Sequence, residues 1–112
     1  MVDPVLILST APSPEAARRI ARCLVEEKLA ACVQMIPGMQ SFYIWKGQLC
    51  DEPEFLLLIK SRADLFDRVA DRVRSLHSYE VPEIVSLRIA EGSKEYLAWM
   101  ETSLVNPVSA EG

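Results

Sequence analysis

The chain has 112 residues, half of them hydrophobic, with a formal net charge of −4 and three cysteines. That length fits one domain with a real apolar core. The acidic balance gives no overall pull towards nucleic acid or an anionic membrane surface. No apolar run approaches the roughly 20 residues that span a bilayer, so no membrane insertion is expected.

The segment "VLILS" (residues 5–9) is a short, unbroken apolar run rich in β formers. It predicts a strand buried on both faces. Ser13 is placed to cap a helix, and Pro14 falls at its first position, where a missing N–H costs nothing. Ala17, Ile20, Ala21, Leu24 and Leu29 then make an apolar stripe at helical spacing. Between Cys32 and Trp45 the period drops to two, through Val33, Met35, Tyr43 and Trp45. Pro37-Gly38 interrupts that strand, which implies a sheet edge or a bulge. "WKGQLCDEP" predicts a turn region, with Gly47 able to take a positive φ. "EFLLLIK" (54–60) predicts a second doubly buried strand.

Ser61, with Asp64 three residues on, resembles a capping box that opens a second helix. Leu65, Val69, Val73 and Leu76 share one face of it. Pro82 pushes Val81 towards extended geometry, so the helix stops before it. "EIVSLRI" (83–89) predicts a fourth strand. Gly92-Ser93 opens a third helix, whose packing face is assigned to Tyr96 and Trp99. Residues 1–104 form the single domain, and 105–112 read as a flexible tail.

The order β-α-β-β-α-β plus a terminal helix is an α+β arrangement, the split βαβ or ferredoxin-like plan. It predicts the strand order 4-1-3-2. The unbroken runs "VLIL" and "FLLLI" suit the central strands, and the mixed second and fourth strands suit the edges. The second strand is also too long for its domain. About 14 residues at about 3.3 Å each make about 46 Å, against a globule about 30 Å across. A 39–56 hairpin carrying Phe42, Tyr43 and Trp45 therefore overhangs. An exposed aromatic edge invites association unless another subunit covers it, so a homo-oligomer joined through sheet edges is expected.

Cys23, Cys32 and Cys50 form no C-x-x-C pair, and "MVDPVLILST" has no basic region ahead of a long apolar segment. Free thiols in a reducing, cytoplasmic setting are expected.

"TAP", "LAACV", "IPG", "YIWKG", "LLLIK", "H-x-YEVPEI" and "YLAWM" occur in the order and spacing of the CutA family, the divalent-cation tolerance proteins. This resemblance spans about residues 5–104. It implies a ferredoxin-like subunit in a tight homotrimer, built by strand pairing between subunits and similar to PII-type signalling proteins. It also implies a link to tolerance of copper and other divalent cations, with copper as the possible bound metal. No catalytic motif accompanies the family, and a non-enzymatic role follows.

The only histidine, His77, is the first candidate ligand, because neutral imidazole suits copper or zinc. Glu80 and Glu83 could add oxygens. Copper-binding relatives carry a His-His pair and a cysteine before Thr-Ala-Pro; here the matching residues are Leu76-His77 and Ser9-Thr10. The alternative is a histidine hydrogen-bonded at a helix terminus beside Tyr79. Cys32 is the second candidate, as a soft thiolate for Cu(I), against the reading of a small buried hydrophobe. Tyr43, Trp45, Lys60, Tyr79, Glu80 and Pro82 are candidates for an inter-subunit ligand cleft. For the hairpin-tip aromatics the alternative is packing between subunits, and for Lys60 an ion pair with Glu54, Glu80 or Glu83.

Other chemistries lack their residues. The first β-α loop, "STAPSP", has neither the arginine of a ferredoxin-like acylphosphatase nor the C-x-x-C of a metallochaperone. One histidine cannot serve a Ser/His/Asp set as well as a metal. An RNA-binding sheet would need more aromatics and a basic surface.

Overall fold

The two unbroken apolar runs pair with each other, antiparallel, at the centre of a four-stranded sheet. In the computed structural model, which describes residues 1–106, the elements are β1 (Pro4–Ala11), α1 (Pro14–Glu26), β2 (Cys32–Trp45) and β3 (Gln48–Arg62). A single 3-10 turn (Ala63–Leu65), α2 (Phe66–Leu76), β4 (Ile84–Arg88) and α3 (Lys94–Ser103) follow. The spatial order is β2-β3-β1-β4, all antiparallel, as the sequence predicts.

Two helix starts follow from their caps. The Ser13 hydroxyl accepts from the Ala16 N–H at 3.1 Å, with Pro14 inside the first turn. The Ser93 hydroxyl accepts from the Tyr96 N–H at 3.2 Å. Each cap satisfies a donor that the first helical turn leaves open, an effect of about 1 kcal/mol.

One face of the sheet carries the core. Val5 and Ile7 of β1 and Leu57 and Ile59 of β3 pack with Ala17, Ile20 and Leu24 of α1 and Val69 and Val73 of α2. Met100 of α3 and Leu104 complete it. Packing of α3 therefore runs through Leu97, Met100 and Leu104. Tyr96 and Trp99, expected on its packing face, are exposed instead. Their rings lie 5.4 Å apart on the outside, because the helix turns its aliphatic side inward.

Among the described residues, no helix covers the leucines of the other face, and α3 reaches it only at Lys60, through Tyr96. Leu6, Leu8, Leu56 and Leu58 are only half-buried, and Ile36, Val85 and Leu87 are exposed. Register places them together: Leu8 sits opposite Leu58 and Val85, Leu6 opposite Leu87, and Leu56 opposite Ile36. Burial of β1 and β3 on both faces, expected from their composition, is thus not achieved within one chain. The helices of a βαββαβ unit reach only one side.

Three local expectations also change. The hairpin turn is only Lys46-Gly47, with φ of 51° and 80°. Both central residues are left-handed, the tight two-residue turn whose twist matches antiparallel strands. Strand β3 therefore begins at Gln48, since β2 offers a partner to each residue from there on. Pro53 is tolerated because β1 pairs with β3 only from Phe55, leaving one side of the ladder open. Ser61 does not open a helix. It is the buried penultimate residue of β3, and its hydroxyl donates to the Leu29 carbonyl at 2.6 Å.

The overhang is present. Residues 39–45 of β2 and 48–54 of β3 pair only with each other, as a two-stranded arm. A bulge between Ile36 and Met39 marks its root, at Pro37-Gly38. The longest molecular axis is 44 Å.

At the other end, buried Arg62 ties the chain's last described turn to the sheet. It donates to Asp64 at 2.7 Å, Glu101 at 3.3 Å and the Val105 carbonyl at 2.9 Å. Val105 also donates to the Lys28 carbonyl at 2.9 Å. The expected tail thus starts anchored, and residues 107–112 lie outside those described.

Candidate functional site

The segment between α2 and β4 is stitched to the root of the arm by side chains. His77 ends α2 in extended geometry. Its Nε2 lies 2.6 Å from the Thr10 carbonyl oxygen, and its Nδ1 lies 3.1 Å from the Tyr79 backbone nitrogen. A carbonyl can only accept and a backbone N–H can only donate. The ring is therefore held as the Nε2–H tautomer, with both nitrogens engaged. The Tyr79 ring stacks beside it, centroids 4.5 Å apart.

The Tyr79 hydroxyl donates to one oxygen of Glu54 at 2.6 Å, and the Ser41 hydroxyl donates to the other at 2.6 Å. Glu54 is only 5% exposed. A carboxylate so buried needs such donors, because an unpaired one costs several kcal/mol. The Tyr79 phenol is held above its ordinary range, by burial first and then by its bond to the Glu54 carboxylate. Tyr43 shifts the same way, through desolvation and then neighbouring Cys50 and Glu54.

These bonds shape a cleft of about 520 Å³, within the usual range for small-molecule sites. The arm contributes Ser41, Phe42, Tyr43, Trp45 and Glu54. Thr10 of β1 closes the base, and Tyr79, Glu80, Val81 and Glu83 form the opposite wall. Among the described residues, no lysine or arginine lines it. At the mouth, Lys46 Nζ sits 3.7 Å from Glu80 and 5.9 Å from the Trp45 ring centroid.

Of the six residues expected at an inter-subunit cleft, Tyr43, Trp45, Tyr79 and Glu80 line this cleft within one chain, and Lys60 and Pro82 do not. Lys60 reaches the Tyr96 hydroxyl at 3.1 Å and lies over that ring, rather than pairing with a glutamate. Sequence reasoning missed Glu54, Ser41 and Thr10 as cleft residues. Period-two counting back from Leu58 through Leu56 would have put Glu54 on the open face.

The metal candidates stand apart. Cys32 is half-buried opposite Lys60, Cys23 is on α1, and Cys50 is on the arm opposite Tyr43. None is in a disulfide. Among the described residues, no three His, Cys, Asp or Glu side chains gather as a metal cluster. Ligation by His77 would require breaking one of its two hydrogen bonds. The described residues of one chain therefore do not by themselves assemble a ligand set for a resident divalent metal.

Fold and site together define a class: a small α+β protein with a four-stranded antiparallel sheet, three helices and an acidic, aromatic cleft beside a β-arm. The family model described as CutA1 divalent ion tolerance protein matches residues 5–103. The chain belongs to that family. It is 52% identical over 95 residues to the divalent-cation tolerance protein CutA of Thermus thermophilus, covering 85% of this chain and 92% of that protein. It is 40% identical over 105 residues to the chloroplastic CutA protein of Arabidopsis thaliana, covering 94% of this chain but 58% of that one.

Among solved structures, CutA1 from Oryza sativa superposes with a TM-score of 0.90 at 39% identity, covering 93% of this chain and 95% of that one. The Thermus thermophilus divalent cation tolerance protein gives 0.88 at 48%, covering 91% and 99%. One further structural relative, from Archaeoglobus fulgidus, is described as periplasmic. No helix among the described residues is long and apolar enough to cross a membrane.

Proposed function

We propose that this chain works as a homo-oligomer, a trimer by analogy with its resemblance to the family, and contributes to divalent-cation tolerance without catalysing a reaction. The observation that carries the assembly is the open sheet face, where Leu6, Leu8, Leu56, Leu58, Val85 and Leu87 lie contiguous and incompletely covered. Apolar surface of that extent favours a protein partner. The arm adds Phe42, Ile44 and Leu49, each about two-thirds exposed. Free edges on β2 and β4 offer backbone groups for strand pairing between copies. Three unbridged cysteines support a reducing compartment, the cytoplasm.

Copper is the metal for which this reading is tested, at ligands supplied jointly by several copies. Cys32 shares the open face with Lys60 and is the better placed candidate; His77 has both nitrogens occupied. Sedimentation should give a mass several times that of one chain. Copper titration of the assembled protein should weaken in Cys32→Ser and stay unchanged in His77→Ala. A well-folded single-chain particle at dilute concentration sinks the assembly, and unaltered binding in Cys32→Ser removes that thiol.

A second reading, a small-ligand sensor with metal incidental, is supported by the 520 Å³ cleft, whose shape is held by the Thr10–His77 and Glu54–Tyr79 bonds.

A further inference from the structure

The cleft beside the arm has one sign of charge and one kind of wall. Its lining includes Glu54, Glu80 and Glu83 and the aromatic residues Tyr43, Trp45 and Tyr79, with no lysine or arginine among the described residues. Carboxylates repel an anionic ligand. Aromatic faces carry a negative quadrupole that attracts a positive charge. A bare divalent ion needs several oxygens within about 2.6 Å of one point, and no such cluster exists among the described residues. What remains is a cation large enough to meet rings and carboxylates together.

A second observation points the same way. The chain places one ammonium group at this mouth already. Lys46 Nζ lies near both Glu80 and the face of Trp45, at 3.7 and 5.9 Å. Lys46 is well exposed and held by no buried contact, so an incoming cation can displace it. Its position puts an ammonium group near Glu80 and the Trp45 ring together.

We infer that the cleft binds a small organic cation, an alkylammonium or diamine, held by Trp45 and Tyr43 rings with Glu80 at the mouth and Glu54 at depth. This rests on the small-ligand reading above and gives it a chemical class. In that arrangement Lys46 competes with the ligand, whereas a purely structural lysine would not.

The test is titration of the full-length assembled protein with 1,4-diaminobutane, followed by calorimetry and by Trp45 fluorescence in a Trp99→Phe background. Mg²⁺ and inorganic phosphate serve as comparison probes. Saturable diamine binding is expected, about tenfold weaker in Trp45→Leu and weaker by about twofold to fivefold in Glu80→Gln. Lys46→Ala should bind several-fold more tightly, a change opposite in sign to that of a mouth merely loosened. Phosphate binding that perturbs Trp45, with no diamine binding, overturns the organic-cation assignment and leaves the small-ligand reading standing. Failure of every probe to perturb Trp45 overturns both. Diamine binding unchanged in both Trp45→Leu and Glu80→Gln overturns the site.

Discussion

Neighbouring residues of one chemical type meet different surroundings on β1 and β3. Ile7, Leu57 and Ile59 are fully buried under the helices, while Leu6, Leu8, Leu56 and Leu58, one step along, are only half-covered. The strand composition is the same on both faces; the cover is not. An unbroken apolar run reports that both faces are to be kept from water. It does not report which body does the covering: the chain's own helices on one side, and on the proposed reading sister chains on the other.

The contrast is broken most sharply by truncation on each face. Ile59→Ala should cost about 2–5 kcal/mol of stability in urea unfolding, at any protein concentration, because its cavity is internal. Leu58→Ala should cost about 1–3 kcal/mol at high protein concentration, and the loss should shrink on dilution, because an interface term is present only while the copies are associated. A small, concentration-independent loss at Leu58 would mean that the open face stays open.

The site sharpens the comparison with a smaller effect. Tyr79→Phe should cost about 1–2 kcal/mol near neutral pH by leaving one Glu54 oxygen unpaired. The folded phenol has a raised pKa, so its contribution is fully present below about pH 10 and is lost as pH rises through the folded value. The stability gap between wild type and Tyr79→Phe should therefore narrow above about pH 10, as read by urea titrations across that range. A gap that widens would contradict the bond. The smallest effect belongs to the arm. Gly47→Ala at φ 80° should cost about 1 kcal/mol, with open space around the added methyl, so the loss is backbone strain alone.

The topology was legible because central and edge strands differ in pattern over several residues each. Smaller features were not. Ser61 reads as a helix cap until its hydroxyl is seen to reach Leu29, 32 residues away. Glu54 opens the apolar run "EFLLLIK", where the sequence offers its carboxylate no partner but Lys60. Its burial depends on Ser41 and Tyr79, donors 13 and 25 residues distant. The aromatic half of the cleft was visible in "YIWKG", since rings at a protruding tip need a reason. The carboxylate half required tertiary contacts.

The bulge at Pro37-Gly38 has a geometric role beyond its own hydrogen bonds. If the outer edge of β2 in one copy joins the outer edge of β4 in the next, each joint links unlike surfaces. Repeated unlike joints either close into a ring or run on as a helical fibre, according to the rotation per step. In such an assembly the bulge between Ile36 and Met39 sets how the arm leaves the sheet, so deleting Gly38 should change the mass of the particle in sedimentation.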